Sequence, residues 1–348
     1  DRMLLMYVDK SQAVGRDYRP MFVYQDVTAQ VHALAAETRD NVAMMHAVVQ
    51  SPTAPEIDVG AHCRSPYPCP FHDYCWSNVP DTSIQFIPRL TAQQRADLAE
   101  RAIHDINQLD SEVHLSPSQS RYVSCVQRGE DVINYDAVKE FQVSLSYPIH
   151  FFDFETDGSP TPHISGVRPY QQVPFQYSCH VLGADGSLTH VDYLYEKTSD
   201  PRPDLISALR RDVADHGTIV VYNAQFERKV LLELAAFFPN DAPFLQSLAR
   251  RLSDQLDVFR KHYTSPAFRG SNSLKRILAV IHPEADYHDL AVRRGDDAQA
   301  VWTEMIHTDA GPEKRQMSED LRAYCQRDTY AMVLIHNHLS ELVASSVP

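Results

Sequence analysis

Two acidic residues interrupt an aromatic run in Phe151-Phe152-Asp153-Phe154-Glu155-Thr156. If this run is a strand, Asp153 and Glu155 share one face, because successive side chains alternate between faces. The phenylalanines Phe152 and Phe154 then share the other face. Neighbouring carboxylates repel each other and cost free energy when they are desolvated, and a hard divalent cation with oxygen ligands would relieve that cost. The alternative interpretation is a strand with one solvated, acidic face.

The composition is that of a globular protein. A chain of 348 residues with 43% hydrophobic residues can form one large domain or two to three smaller ones. No apolar run approaches the ~20 residues of a membrane span, and no signal segment opens the sequence, so we expect a cytoplasmic protein with no membrane partner. The sequence starts at Asp1 within strand-like residues, which suggests that an N-terminal part is missing. The oligomeric state stays open.

The net charge of -14 comes from 32 Lys+Arg against 46 Asp+Glu. It argues against a protein that coats duplexes generally, because phosphate binding needs a cationic footprint. It is compatible with a metal-dependent nuclease, whose site is acidic until metals fill it.

The six cysteines do not form a secreted disulfide framework and indicate a reducing compartment with one metal site.

The first eighty residues read as part of an incomplete domain. Residues 4–8 and 21–24 predict two short strands, and apolar residues at helical spacing predict one long helix over 27–49. A proline-rich break follows at 51–55. Two strands and one helix make an incomplete domain, which agrees with a missing N-terminal part.

Three cysteines follow with the spacing C-x5-C-x5-C, at Cys63, Cys69 and Cys75. Prolines between them fix the backbone so that thiolates can converge, and aromatic residues shield a cluster from water. The fourth ligand would be His62, His72 or a cysteine upstream. A zinc site is the rival to an iron–sulfur cluster, and three buried thiols without a metal are the plain alternative.

The rest of the sequence predicts helices and then an α/β arrangement. Residues 83–147 predict a helical connector, with Thr91 as one helix cap and a second helix over 116–128. Strands are then predicted at the acidic run and at 174–182, 188–195 and 218–222, and helices at 203–215, 224–238, 274–281, 297–306 and 318–339, while 255–259 is left open. Three meandering strands followed by α/β crossovers predict a mixed sheet with helices on its faces.

Two later motifs supply further polar side chains. An apolar strand ends at Asn223, and the next helix carries Glu227 in its first turn, at the sheet edge where α/β proteins usually bind ligands. Within the last helix, Tyr324 and Asp328 are four residues apart and therefore face the same way.

These three motifs together resemble the DEDD superfamily of 3'-5' exonucleases, the DnaQ-like members of the ribonuclease H-like fold. Asp153-Phe154-Glu155 matches D-x-E, and Tyr324 with Asp328 matches the Y-x-x-x-D of the tyrosine subclass. Asn223-Ala224-Gln225-Phe226 matches the start of N-x-x-F-D, with Glu227 in place of the aspartate. Glu227 reaches about 1.3–1.5 Å further than an aspartate, and the helix macrodipole alone would also favour a glutamate there.

The whole chain also resembles an uncharacterised bacterial family through the phrases at 168–177 and 270–275. In that family a RecB-type PD-(D/E)xK nuclease half with a cysteine cluster precedes an exonuclease-like half. The resemblance implies that residues 1–80 are the C-terminal remnant of a RecB-like domain, 81–146 a helical connector and 147–342 the exonuclease domain. It also implies a 4Fe–4S cluster at the three cysteines, completed by a cysteine upstream.

The resemblance implies a metal-dependent 3'-5' exonuclease that acts on single-stranded DNA or RNA with two Mg²⁺ or Mn²⁺ ions. Asp153, Glu155, Glu227 and Asp328 would hold the metals, and Tyr324 would orient or deprotonate the attacking water. Candidate substrate contacts are Phe154, Thr156, Asn223, Lys275 and Arg168, and Gln171, Gln172 and Gln176 could line a channel; core packing and solvated charge are the competing explanations. A non-catalytic binding module and a hydrolase of small phosphodiesters are the alternative functions. The sequence does not distinguish DNA from RNA.

Overall fold

A computed structural model describes residues 2–15, 17–110 and 112–345. The chain forms two compact units. The first contains the described residues up to Val79 together with Gly158–Gln171, and the second contains Pro80–Asp157 together with the described residues from Gln172 onward. No helix among the described residues is long and apolar enough to cross a membrane.

The first unit opens with an antiparallel hairpin of β1 (Leu4–Val8) and β2 (Phe22–Asp26). A long helix, α1 (Thr28–Gln50), follows, and α2 (His72–Trp76) lies in the cysteine-rich segment. The predicted pair of strands and the long helix are confirmed.

The second unit begins with α3 (Ala92–Glu100), α4 (Pro117–Arg128), the short strand β3 (Val132–Ile133) and α5 (Tyr135–Ser144). The helix after Thr91 begins as predicted, because the Thr91 hydroxyl accepts the Gln94 backbone N–H at 3.1 Å.

Residues 81–146 do not stand apart as a connector, in contrast to the expected three-part division. β3 pairs with β9 (Tyr263–Thr264) in the C-terminal half of the chain. The Arg121 guanidinium donates to the backbone carbonyls of Arg260 at 2.8 Å and Lys261 at 2.7 Å. These long-range bonds join the helices of this segment to the sheet-containing part in one compact unit.

The loop after the strand Ile149–Asp157 also does not fit the expected three-part division. Gly158–Gln171 belongs to the first unit, where the backbone of Val14 bonds to the backbones of Gly166 and Val167. The expected exonuclease segment 147–342 is therefore interrupted by fourteen residues that pack with the N-terminal part.

A five-stranded mixed sheet is the centre of the second unit. Its strands are β4 (Ile149–Asp157), β5 (Val173–Leu182), β6 (Leu188–Leu194), β7 (Ile219–Val221) and β8 (Leu252–Asp254), in the order β6-β5-β4-β7-β8. β4, β5 and β6 form an antiparallel meander, whereas β7 is parallel to β4 and β8 is parallel to β7. The predicted mixed sheet is confirmed, with β8 as an addition that was not predicted.

Helices cover both faces of this sheet. They are α6 (Arg202–Asp212), α7 (Ala224–Phe237), α8 (Ala242–Arg250), α9 (Leu256–Lys261), α10 (Leu274–Ile281), α11 (Gly295–His307) and α12 (Pro312–Ser345). The segment that the sequence left open between strand and helix is the helix α9.

The two faces of β4 pack against different helices. Phe152 and Phe154 are buried with residues of α6, α7 and α8, and their ring centroids lie 4.6 Å apart. Phe151, on the opposite face, packs with Met332 of α12. Each buried aromatic side chain contributes roughly 1.5–3 kcal/mol. The predicted alternation is confirmed, and it places Asp153 and Glu155 on the α12 side of the sheet.

A buried polar network fixes α12 against the sheet. The Thr329 hydroxyl lies 2.7 Å from the Ser178 hydroxyl and 2.9 Å from His180 Nδ1. Gln176 is fully buried and donates its side-chain N–H to the Leu321 carbonyl at 3.0 Å. Gln176 therefore positions a helix and does not line a substrate channel, which corrects the expectation for this residue.

Replacing His180 by glutamine should make the fold less sensitive to acid. Burial, followed by the neighbouring His190 ring, lowers the pKa of His180 from 6.5 to about 4. Between these values the unfolded chain binds a proton that the folded protein does not, so the free energy of unfolding falls as the pH drops through this window, by on the order of 2–3 kcal/mol for this group. Urea unfolding at about pH 7.5 and about pH 4.5 measures the change. The exposed His104→Gln variant is the control, and an unaltered pH dependence in His180→Gln would contradict the prediction.

Candidate functional site

The central strand supplies the first two carboxylates of an acidic cluster. Asp153 is half-buried and Glu155 is 7% exposed, and both lie on the face of β4 that α12 covers. Their carboxylate oxygens and the thiol of Cys325 lie within 4.8 Å of one another. A strand in the middle of a sheet holds both carboxylates in fixed positions.

The long helix α12 brings Asp328 and Tyr324 to the same place. Asp328 is 7% exposed and Tyr324 is 4% exposed. The Tyr287 hydroxyl donates to Asp328 at 2.5 Å, and the Tyr324 hydroxyl bonds to Asp328 as well. The predicted i, i+4 pair therefore faces the acidic strand, and two phenols orient its carboxylate.

Glu227 is the fourth carboxylate, and it lies in the first turn of α7. It is 2% exposed, and its Oε2 has no hydrogen-bond partner among the described residues. Burial, followed by the charge of Asp254, raises the pKa of Glu227 to about 8. A buried carboxylate oxygen without a donor is costly, and a bound cation would satisfy it.

Asp254 positions the turn from which Glu227 starts. One oxygen of Asp254, at the end of β8, accepts the backbone N–H of Asn223 at 2.9 Å and that of Leu256 at 3.1 Å. Asn223 adopts a left-handed conformation with φ of 92°, which costs a non-glycine residue about 1–3 kcal/mol. The carboxylate of Asp254 offsets this cost, so the turn stays rigid.

The carboxylates shift one another electrostatically. Burial, and after it the charge of Asp328, raises the pKa of both Asp153 and Glu155 well above the usual range. Glu227 raises the pKa of both further, which places it in the same field. Burial raises the pKa of Asp328 too. The charges of Asp328 and Glu227 therefore act on the Asp153 and Glu155 pair, and carboxylate oxygens of this kind suit a hard divalent cation.

Lys275 is the cation that faces this cluster. Its Nζ lies 3.3 Å from the Tyr324 hydroxyl and bonds to the Arg293 carbonyl. It also lies over the rings of Tyr287 and Tyr324, 4.6 and 4.8 Å from their centroids. Its charge lowers the pKa of Asp153, Glu155 and Asp328. Lys275 is thus brought to the site as expected, bound to Tyr324.

The other candidate substrate contacts divide into three kinds. Phe154 is 3% exposed in the core between β4 and α6–α8, so it does not border a substrate, and this expectation is corrected. Thr156 is half-buried and donates its hydroxyl to Gln172 Oε1 at 2.5 Å. Asn223 acts through its backbone in the turn before Glu227. Arg168 is exposed in the first unit, in the segment Gly158–Gln171.

Sequence reasoning missed four contributors to the site. Tyr287 follows a short 3-10 turn, and Asp254 ends a strand of three residues, so neither belongs to a periodic pattern. Cys325 follows Tyr324 directly, and its thiol contacts the Asp153 carbonyl at 3.9 Å. Gly295 begins α11, and a Cβ on it would lie 3.8 Å from Glu155 Oε2.

The three clustered cysteines do not form a ready zinc site. Cys63 is buried with its thiol 3.6 Å from His62 Nε2, while Cys69 is half-buried and Cys75 exposed. Tetrahedral zinc would hold its sulfurs about 3.8 Å apart. Among the described residues, only Asp153, Glu155 and Cys325 bring three such ligand atoms within 4.8 Å of one another. An iron–sulfur cluster spaces its cysteines more widely, so that expectation stays a prediction.

Comparison with known proteins gives matches over parts of the chain. The model of a family described as a domain of unknown function, DUF2779, matches residues 150–273, which include Asp153, Glu155 and Glu227 and end before Tyr324. The chain is 26% identical over 220 residues to the uncharacterized protein MG366 homolog of Mycoplasma pneumoniae, a match that covers 57% of this chain and 33% of the relative.

Two further mycoplasmal relatives are similar at the same level. The uncharacterized protein MG366 of Mycoplasma genitalium is 24% identical over 268 residues, which cover 69% of this chain and 40% of the relative. The uncharacterized protein UU173 of Ureaplasma parvum is 24% identical over 234 residues, which cover 60% of this chain and 34% of the relative. The chain thus spans two fifths or less of the length of these relatives.

Proposed function

We propose that this protein is a metal-dependent 3'-5' exonuclease that acts on single-stranded DNA or RNA. The observations that carry the proposal are the ligand oxygens of Asp153 and Glu155 within 4.8 Å of each other and the charges of Asp328 and Glu227 acting on both. Tyr324 lies beside it, as the tyrosine subclass requires. The antiparallel meander followed by two parallel crossover strands supports a ribonuclease H-like domain.

The cluster suits two Mg²⁺ or Mn²⁺ ions. Its donors are carboxylate oxygens, which these hard cations prefer, and Glu227 Oε2 has no other partner among the described residues. Asp153, Glu155, Glu227 and Asp328 would hold the ions. When bound, such ions activate water and stabilise the charge that develops on a phosphodiester during hydrolysis.

The protein's own groups position the attacking water. Burial, and after it the charge of Asp328, raises the pKa of Tyr324 in the metal-free protein. Tyr324 would hold the attacking water by hydrogen bonding. Lys275 donates to the same hydroxyl and would offer positive charge to the scissile phosphate as its bond to the 3'-oxygen breaks.

Tyr324→Phe should reduce kcat about 10²-fold, because it removes the group that orients the water. The Tyr287 hydroxyl still holds the Asp328 carboxylate, so most of the Mn²⁺-dependent rise in melting temperature should remain. Tyr330→Phe on the same helix removes a hydroxyl from an exposed side chain and serves as the control. Retention of full activity by Tyr324→Phe would remove Tyr324 from the mechanism.

The activity itself is tested with 5'-labelled single-stranded DNA and RNA, Mn²⁺ or Mg²⁺, and an EDTA control. A ladder of 3'-shortened products that EDTA abolishes is the expected result, and the preferred polymer names the substrate. No ladder from protein whose melting temperature rises with Mn²⁺ would contradict polymer cleavage and favour small phosphodiesters.

A non-catalytic binding module is the second candidate function. Glu227 favours it, because a longer side chain stands where the exonuclease motif has an aspartate. A melting temperature that does not respond to Mn²⁺, together with the absence of a ladder, would support this second function.

A further inference from the structure

The second unit contains a pocket of about 410 Å³ between its N-terminal helices and the segment before α10. We name it the arginine pocket, after Arg89, Arg121 and Arg260 in its wall. No Asp or Glu is among the described residues that line it. The side chains that line the pocket are therefore positively charged overall, although the protein has a net charge of -14. The volume is within the range of small-molecule and nucleotide sites.

Several polar groups at this pocket have no partner among the described residues. Within the described part of the chain, the guanidinium groups of Arg89 and Arg260 pair with no carboxylate. The Nη atoms of Arg121 donate to backbone carbonyls, while its Nε is buried without a partner. The hydroxyl of Tyr122, a side chain 1% exposed, is buried without a partner too. Buried donors are nearly always satisfied, so the Arg121 Nε and the Tyr122 hydroxyl point to a bound acceptor, while the exposed Arg89 is open to the same ligand.

Two more arginines lie next to the pocket. Arg269 and Arg276 both act on the Tyr122 phenol through their charge. Arg269 pairs with Asp81 at 2.5 Å, while Arg276 donates to the Ala267 carbonyl and leaves its Nε without a partner. Cations therefore exceed acids around the pocket. A ligand with phosphate groups would match this excess through bidentate guanidinium contacts.

The segment Gly270-Ser271-Asn272-Ser273-Leu274-Lys275 connects the pocket to the acidic cluster. Gly270 has φ of +67°, and a Cβ there would lie 1.8 Å from the Phe86 carbonyl oxygen, so only glycine fits. Asn272 and Ser273 line the pocket, and Ser273 caps α10. Lys275, two residues further, bonds to Tyr324. Two residues span at most about 7 Å, so the pocket and the cluster flank the start of one helix.

We propose that the arginine pocket binds phosphates of the same strand whose 3' end enters the acidic cluster. This rests on the proposed function and extends it, because it identifies a second contact region for the strand, separate from the acidic cluster. The pocket supplies the local positive charge that an acidic protein needs to hold a polyanion. A free nucleotide or inorganic phosphate offers the same chemistry, and the experiment separates these sources.

The test measures binding without cleavage. Fluorescein-labelled dT12 and U12 are titrated against the full chain carrying Asp153→Asn, with fluorescence anisotropy as the readout. Arg89→Gln with Arg260→Gln in this background should weaken binding by about 10- to 100-fold. It should also reduce the slope of log K against log salt by about 1.4, since each single-strand phosphate contact contributes ~0.7. Arg250→Gln with Arg315→Gln removes the same charge from exposed sites outside the pocket and should change affinity less than twofold.

Three results would overturn the inference. Equal affinity in the pocket variant and its parent would exclude the pocket from strand binding. An equal loss in the control pair would assign the effect to net charge. Calorimetry measures the binding of dTMP and of inorganic phosphate. If the pocket variant loses this binding but keeps its affinity for the strand, the pocket is a site for free phosphates. The binding assay does not depend on cleavage. If the protein gives no exonuclease ladder but the pocket variant still loses affinity for the strand, the exonuclease proposal fails and the pocket proposal stands.

Discussion

Asp153→Asn should lower exonuclease kcat/KM by at least ~10³-fold and should also stabilise the metal-free protein. Asp153 lies on the central strand, within 4.8 Å of the ligand oxygen of Glu155, and two other carboxylates raise its pKa. Asparagine keeps the shape but neither holds a metal as strongly nor repels the remaining acids. Loss of activity and gain of stability in one variant is a result that a purely structural aspartate would not give.

The measurement combines product ladders from 5'-labelled oligonucleotides with urea unfolding in EDTA. We expect the free energy of unfolding to rise by about 1–2 kcal/mol in EDTA, through relief of repulsion. In Mn²⁺ the order should reverse, because the parent gains binding energy that the variant lacks. Asp136→Asn, an exposed aspartate in the first turn of α5, is the matched control. Undiminished cleavage by Asp153→Asn would exclude the acidic cluster as the active site.

Glu227→Gln should stabilise the metal-free protein by an amount that grows with pH. The folded state holds the pKa of Glu227 at about 8, against 4.5 for an ordinary glutamate. The parent therefore loses stability as the pH rises from about 4.5 to about 8, because over this range the unfolded chain releases a proton that the folded carboxyl keeps, and glutamine does not titrate. Near pH 5 parent and variant should be similar, and near pH 9 glutamine should be favoured by on the order of 3 kcal/mol.

Activity distinguishes the possible roles of Glu227. If its carboxylate holds a metal, Glu227→Gln should lower kcat at least about 10²-fold, whereas Glu227→Asp should retain measurable cleavage. The exposed Glu313→Gln, in the first turn of α12, is the control. If Glu227→Gln gains stability at high pH and keeps full activity, Glu227 is a strained structural residue and the site uses three carboxylates.

The parts of the site that lie on regular elements could be predicted from the sequence. Period-2 alternation placed Asp153 and Glu155 on one face, and the four-residue spacing placed Tyr324 and Asp328 together, because each relation depends only on local geometry. The structure confirms both arrangements.

The parts that depend on tertiary contacts could not be predicted. Tyr287 reaches Asp328 from an irregular segment forty-one residues away in sequence. β8 is three residues long, which is too short for a periodic pattern, so the place of Asp254 at the end of a strand could not be predicted. Gln176 looked polar and therefore exposed, yet it is fully buried because the Leu321 carbonyl gives it a partner.

The way α12 is held also sets a limit on how the protein can be divided for experiments. The half of α12 that follows Asp328 packs on α5 through Val138, Ile335 and Leu339, and Gln142 donates to the His336 carbonyl at 3.0 Å. A truncated fragment that starts at residue 147 would remove α5 and expose this surface. The part of α12 that follows Asp328 would then lose one of the helices that hold it. A fragment that preserves the acidic cluster therefore has to include α5, and Pro80–Asp157 belongs to the same compact unit as the sheet and α12.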